Sequence, residues 1–172
     1  MNKTQAIAWL DQEDAQVASY IRKFGTYIQY VGGGSCSAPG CCGGDDPDDE
    51  AAPPFAYTIG LFGLGHPELL ILGAGMETAG AVLNDLTDRV RAGADLVPGE
   101  LITFEHWPHR IVPEEVPNAG EIVFGANRHY QRPAYASVPV LQLSYDDPAG
   151  LFPWEDGYAA SWTQPRPGTF RA

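Results

Sequence analysis

PPFAYTIGLFGLGHPELLILG, residues 53–73, contains two strand-like runs separated by a short connection. The first run, PFAYTIGL, and the second, ELLILG, are rich in aromatic, β-branched and aliphatic residues. The connection FGLGHP is short and contains glycine, which is typical of the turn of a β-hairpin. We therefore predict an antiparallel hairpin at the core of the protein.

A helix is predicted on each side of this hairpin. The first begins at Thr4, a suitable N-terminal cap, and ends at Gly25. The second covers residues 77–92 and ends at Gly93. Both carry apolar residues at helical spacing, which are Ile7, Leu10, Val17, Ile21 and Phe24 in the first and Leu83, Leu86 and Val90 in the second. Each helix therefore has a face that can pack on a sheet.

Four further segments have strand composition, which are TYIQYV (26–31), ELITFE (100–105), HRIVPEEV (109–116) and VPVLQLSY (138–145). Pro113 indicates that the third of them lies at a sheet edge or ends there. A short helix is predicted at residues 118–130, beginning at Asn118. This order of elements predicts one α+β domain over residues 1–172. We expect a curved, mostly antiparallel sheet or a partly open barrel with two main helices packed on it.

The three cysteines all lie in GGGSCSAPGCC, residues 32–42, which is followed by the acidic run DDPDDE. This region has no apolar periodicity, so we predict a mobile loop rich in glycine, cysteine and aspartate at residues 32–52. The tail at residues 163–172 is punctuated by proline and is predicted to be frayed. Neither segment is expected to contribute to the core.

The chain is strongly acidic, with 22 acidic and 10 basic residues and a formal charge of −12. Such a surface repels a phosphate backbone, so we expect no nucleic acid partner. The apolar runs are too short to cross a membrane, and acids interrupt the N-terminal segment before a signal core can form. We therefore expect a cytoplasmic protein with reduced cysteines and no membrane partner. The oligomeric state is left open.

The cysteine loop offers a metal site, a redox pair or no special role. Cys36, Cys41 and Cys42 give three ligands, whereas structural zinc usually has four, so a histidine or a nearby acid would have to complete the site. Thiolates also suit monovalent copper. A reversible disulfide is easier between Cys36 and one of the other two than between adjacent cysteines. The third interpretation is a linker whose thiols do nothing.

The histidines are the most versatile candidates outside that loop. His66 lies at the bend of the predicted hairpin, where it would bind a ligand or bond to a backbone group. His106 and His109 flank WP and would converge with His129 and Tyr130 if the fold brings the short helix near them. Such a cluster would bind a metal or supply a general acid and base. The alternative is a set of separate surface histidines.

Three more side chains are candidates for a small-ligand pocket. Asn84 follows an apolar position of the second helix, so its amide would need a structural partner or a ligand. Tyr57 in the hairpin and Trp154 in FPWED combine an aromatic body with a polar tip, which suits ligand sites. Core packing is the alternative role for both aromatic residues.

Several stretches resemble a bacterial family known as domain of unknown function 4262. They are PPFAYTIGL, GHPELLILG, ETAGAVLNDLTDRVRAG, LQLSYDD and FPWEDGY, and the similarity extends from about Tyr27 to Tyr158. The resemblance implies a single intact domain and supplies no reaction or catalytic residues. A looser fold-level analogy links the predicted hairpin, helix and strands to split barrels that bind flavin mononucleotide.

Three hypotheses about function follow from the sequence. The leading one is a cytosolic binding or regulatory module that recognises a small ligand or a basic protein surface, because no complete catalytic constellation is visible. The second is a small redox enzyme that uses flavin mononucleotide or the cysteine loop. The third is a zinc- or copper-binding protein that uses the same loop.

Overall fold

The structure is a computed structural model that describes residues 2–32, 52–159 and 163–172. Its helices and strands are α1 (Lys3–Phe24), β1 (Tyr27–Val31), β2 (Phe55–Ile59), β3 (Glu68–Leu72), α2 (Met76–Arg91), β4 (Ile111–Glu115), α3 (Phe124–His129) and β5 (Val140–Tyr145). No helix within these ranges is long and apolar enough to cross a membrane. The predicted α+β class is confirmed.

The five strands form an open sheet in the order β1-β2-β3-β5-β4. The predicted hairpin is confirmed, because β2 and β3 pair antiparallel. However, β5 lies parallel to β3, so the sheet is mixed and is not closed into a barrel. The long connection between these strands, which contains α2, β4 and α3, permits the parallel pairing.

Two predicted elements differ from those in the structure. In ELITFE only Ile102 pairs with a neighbour, through a single bridge to Ile111, so this segment is not a strand. The predicted helix at residues 118–130 is broken into a short turn at Ala119–Glu121 and α3. The edge position indicated by Pro113 is confirmed, since β4 is the last strand of the sheet.

The sheet is buried on both faces, which produces two cores. α2 packs on the face that carries Ala56, Leu69 and Ile71, and we call this the first core. The opposite face carries Tyr57 and Leu70 and forms the second core with residues of α1, α3 and the tail. Each buried leucine contributes about 1.5–3 kcal/mol, so the alternating strand residues supply much of the stability.

The ends of α1 follow from local hydrogen bonds. Asn2, rather than Thr4, is the N-terminal cap, because its side chain accepts from the Gln5 N–H while the Gln5 side chain accepts from Asn2. Gly25 ends the helix as predicted, with a φ of 89° that favours glycine. Only Val17 of this helix is fully buried. α1 is therefore a helix that packs on the second core through a narrow stripe.

The tail at residues 163–172 is packed against the domain, which corrects the prediction of a frayed end. Gln164 and Phe170 are buried. The Gln164 side chain accepts from the backbone N–H of Tyr145 and donates to its carbonyl, at 2.9 Å in each case. The Gln164 amide thus bonds to the backbone at the end of β5, a long-range contact that the polar composition of the tail does not reveal.

Candidate functional site

A groove of about 420 Å³ lies between α2 and the segment 104–107. Its lining residues are Glu77, Thr78, Ala81, Val82, Asp85, Arg89, Phe104, Glu105, His106 and Trp107. The helical half of the lining follows from spacing, because residues 77, 81, 85 and 89 are four apart and share one face of α2. We call this cavity the acidic groove.

Aromatic side chains form the wall opposite α2. Phe104 and Trp107 meet edge to face, with ring centroids 5.5 Å apart. Trp107 also contacts Tyr145 at the end of β5, with centroids 5.6 Å apart. Because Tyr145 belongs to the sheet, this contact holds the 104–107 segment in place although the segment is not a strand.

Acidic side chains outnumber basic ones in the groove. Glu77, Asp85 and Glu105 are carboxylates, and Arg89 is the only guanidinium among the lining residues. Arg89 Nε donates to Asp85 Oδ1 at 2.6 Å. Glu105 Oε2 lies 3.9 Å from His106 Nε2. The groove therefore carries excess negative charge beside aromatic rings, which suits a cation.

A hydrogen-bonded pair of His109 and Asp146 lies on the other side of Trp107. Asp146 Oδ1 lies 3.2 Å from His109 Nδ1, and Asp146 also accepts from the backbone N–H and the Nε of Arg110, at 2.9 and 2.7 Å. Trp107 connects this pair to the groove, since its ring centroid is 4.9 Å from that of His109. The pair borders a second cavity, of about 480 Å³.

The partners of Asp146 control its protonation. Burial raises the pKa of Asp146, but the hydrogen bonds from Arg110 and His109 and the charge of Arg110 together hold it below its usual value. The carboxylate is therefore ionised at neutral pH and fixes the orientation of the His109 ring. The arrangement positions His109 beside the aromatic wall of the groove.

This lowered pKa predicts an acid-dependent loss of stability. The unfolded chain binds the proton more readily than the folded protein, so the contribution of Asp146 is present at neutral pH and is lost as the pH falls below about 4. We expect the free energy of unfolding of Asp146→Asn to fall less steeply with pH in this range than that of the wild type. Urea unfolding between about pH 2.5 and 6 measures the difference.

The matched control is Asp156→Asn, because Asp156 is an exposed acid in the neighbouring loop. The free energy of unfolding of Asp156→Asn should fall with decreasing pH as steeply as that of the wild type. If the free energy of unfolding fell equally steeply with pH for the wild type and Asp146→Asn, the folded protein would not hold the Asp146 carboxylate in its ionised form.

Sequence reasoning missed Glu68, a fully buried carboxylate at the start of β3. The Thr58 hydroxyl donates to Glu68 Oε2 at 2.7 Å. The backbone N–H groups of Gly60, Leu61 and Phe62 also donate to this carboxylate, at 2.9, 3.3 and 3.1 Å. Burial raises the pKa of Glu68 above its usual value, and these bonds oppose that rise only in part. A single acid beginning the apolar run ELLILG was the sequence signal for this site.

Tyr130 completes the surroundings of Glu68. Its hydroxyl accepts from the Gly63 N–H at 3.1 Å and is hydrogen-bonded to Glu68. The pKa of Tyr130 is raised to about 12, mainly by burial and in addition by the nearby Glu68 charge. Tyr130 therefore stays protonated and joins α3 to the hairpin connection.

Two other predicted ligand-binding residues are engaged inside the protein. Tyr57 is buried in the second core, where its hydroxyl accepts from the Gly125 N–H at 3.0 Å. His66 is buried as well. Its Nδ1 donates to the Pro67 carbonyl at 2.7 Å, and its Nε2 accepts from the Leu96 N–H at 3.2 Å. Both ring nitrogens of His66 thus bond to backbone groups, as the structural interpretation of this residue expects.

The structure separates the predicted histidine cluster. His106 lines the acidic groove and His109 the second cavity. His129 packs against Tyr130 on α3, with ring centroids 4.7 Å apart. Burial lowers the pKa of His129, and the Asp14 charge partly opposes this effect. Of these three histidines, only His106 and His109 lie beside a common residue, Trp107.

Asn84 and Trp154 lie outside the groove. Asn84 is exposed on α2 and is not among the residues that line the groove. Trp154 stacks on Phe152 with centroids 4.8 Å apart, and the Arg166 guanidinium lies 4.8 Å from the Trp154 ring centroid. These contacts give Trp154 a role in attaching the tail.

The predicted metal ligands Cys36, Cys41 and Cys42 lie outside the described residues, as does nearly all of the predicted loop at 32–52. Zinc or copper binding by these cysteines, and a disulfide among them, stay predictions. Within the described ranges, no group of three or more histidine, cysteine or acidic side chains is arranged to hold a metal ion.

Comparison with protein families matches residues 20–159 to the family described as Domain of unknown function (DUF4262). Searches of curated proteins and of solved structures gave no match. The matched range includes all five strands, α2 and the complete lining of the acidic groove. The resemblance noted in the sequence is therefore confirmed.

Proposed function

The chain belongs to the DUF4262 family, and we propose that it is a binding module whose acidic groove takes a positively charged ligand. The observation that carries the proposal is the position of three carboxylates, Glu77, Asp85 and Glu105, around a wall formed by Phe104 and Trp107. A cation gains from both components, because carboxylates attract it and aromatic faces stabilise it.

The size of the cavity and the charge of the whole chain support the same proposal. A volume of about 420 Å³ lies within the range of small-ligand sites. The formal charge of −12 raises the concentration of cations near the surface and accelerates their association. The ligand is either a small organic cation or a basic side chain of a partner protein.

The redox and metal-binding alternatives depend on different parts of the molecule. Both use cysteines outside the described ranges. The analogy with flavin-binding split barrels required a barrel, whereas the sheet is open. In the described part of the chain, the acidic groove is the feature that best supports a function.

Calorimetric titration with a short arginine- and lysine-containing peptide tests the proposal. We expect the wild type to bind the peptide and the double variant Glu77→Gln/Glu105→Gln to bind it about tenfold more weakly, since two attractive charges are removed. Binding should also weaken with added salt.

A matched control is Glu115→Gln, which removes an exposed carboxylate at the end of β4, away from the groove. It should leave the affinity within about twofold of the wild type, because distant exposed charges are screened. Equal affinity of the groove variant and this control would contradict binding in the groove.

A further inference from the structure

Resting on the proposed function, we propose that Arg89 occupies the groove as an internal substitute for the ligand, and that the ligand is the arginine side chain of a basic partner segment. In this account the partner's guanidinium displaces Arg89 from Asp85 and Phe104. The groove thereby selects a guanidinium over an ammonium group.

The contacts of Arg89 show what the groove can recognise. Its Nε donates to Asp85 Oδ1 at 2.6 Å, and its Nη2 donates to the Thr103 carbonyl at 3.1 Å. Its guanidinium carbon lies 5.0 Å from the centroid of the Phe104 ring. A carboxylate, a carbonyl and an aromatic ring are thus already arranged around one guanidinium.

These three contacts favour a planar cation. A guanidinium donates in its plane in several directions while it packs on an aromatic ring, whereas an ammonium is a compact, strongly hydrated charge. An ammonium can reach the carboxylate and the carbonyl but does not stack on the ring. The arrangement around Asp85 and Phe104 therefore distinguishes arginine from lysine.

Arg89 is held at the surface and can leave without disturbing the fold. The side chains of Arg89 and Asp85 are 37% and 44% exposed, and they form an i,i+4 pair on α2. Exposed pairs of this kind contribute little to stability. When Arg89 leaves, its guanidinium can be hydrated, so its displacement leaves no unpaired buried charge.

A partner segment brings contacts that Arg89 does not make. Glu77 and Glu105 line the same groove as Arg89, and Trp107 forms part of its wall. A basic segment that carries one arginine into the groove would place neighbouring basic groups near these carboxylates. The formal charge of −12 favours such a polypeptide over a neutral ligand.

Removing the internal substitute should strengthen binding. We expect Arg89→Gln to bind an arginine-containing peptide about tenfold more tightly than the wild type, and both proteins to prefer it about tenfold over the same peptide with lysine. Isothermal calorimetry measures both ratios. Free arginine amide should bind at least about tenfold more weakly than the peptide, because it lacks the flanking basic groups.

Arg91→Gln is the matched control. It removes the same charge two residues further along α2, where Arg91 donates to the Phe24 carbonyl and does not line the groove. Its effect on affinity should remain within about twofold, because Arg91 is exposed outside the groove and solvent screens its charge. If Arg89→Gln does not fold, Arg89→Lys is used. It keeps the charge but loses the planar contacts, and it should also bind the arginine peptide more tightly than the wild type.

The outcomes separate this inference from the proposed function. If Arg89→Gln binds the arginine peptide no more tightly than Arg91→Gln does, the proposed displacement of Arg89 is wrong, although binding in the groove still stands. Equal affinity for the lysine peptide overturns guanidinium selectivity, and equal affinity for free arginine amide overturns the partner segment. Absence of binding by the wild type and all Arg89 variants overturns the proposed function itself.

Discussion

Replacing Glu68 by alanine should lower the free energy of unfolding by about 3–5 kcal/mol, because it leaves several buried donors without an acceptor and each costs about 1–3 kcal/mol. Those groups are the Thr58 and Tyr130 hydroxyls and the backbone N–H groups of Gly60, Leu61 and Phe62. The Thr58 hydroxyl also accepts from the Leu69 N–H, so its own proton is directed to Glu68. One carboxylate thus holds both strands of the hairpin and the start of their connection.

An intermediate variant separates hydrogen bonding from volume. Glu68→Gln keeps the shape of the side chain but turns an amide NH2 toward groups that donate. We expect a smaller loss, about 1–3 kcal/mol, corresponding to one or two unsatisfied buried donors. Urea unfolding of both variants measures the series.

The control for this series is Glu115→Ala, which removes an exposed acid at the end of β4. It should change the free energy of unfolding by no more than about 0.5 kcal/mol. If Glu68→Ala were as stable as this control, the conclusion that hydrogen bonds to the Glu68 carboxylate stabilise the hairpin would be wrong.

The second large effect is expected at Gly120, which lies against the backbone of the 134–136 turn. A Cβ at this position would lie 2.1 Å from the Ala134 carbonyl oxygen and 2.7 Å from its carbonyl carbon. Both are backbone atoms that cannot rotate away. We therefore expect Gly120→Ala to destabilise the protein by about 3 kcal/mol, the upper part of the range for overpacking.

Gly80 provides the matched control for the same substitution. It lies inside α2, and a Cβ there would meet nothing within 4 Å. Gly80→Ala should stabilise the protein by about 0.5–1 kcal/mol, since alanine favours helix. Opposite signs for the two variants, measured by urea unfolding, support the close approach at Gly120. A Gly120→Ala protein with wild-type stability would contradict it.

Local sequence patterns were sufficient to predict the hairpin and α2. Glycine in a short connection and apolar residues three or four apart depend on neighbours in the chain, and both features appear in the structure. The parallel pairing of β3 with β5 was not predictable in this way, because many residues separate the two strands. Long-range packing likewise attaches Gln164 and Phe170, which have no local pattern.

Only the helical side of the candidate site could be predicted from the sequence. The spacing of Glu77, Asp85 and Arg89 places them on one helix face, but nothing local shows that Phe104 and Trp107 lie opposite. His106 and His109 were identified as candidates, whereas their separation from His129 depends on where β4 and α3 attach to the sheet. Glu68 was visible as a lone acid in an apolar run, although its partners come from another strand and the connection.

The most direct test of cation binding in the acidic groove is a nuclear magnetic resonance titration of ¹⁵N-labelled protein with an arginine-containing peptide. The Trp107 indole resonance, assigned by its loss in Trp107→Phe, reports on the aromatic wall. We predict saturable shifts of this resonance and of amides along α2 and residues 104–107. Saturable shifts confined to other surfaces, or no shifts at all, would contradict it.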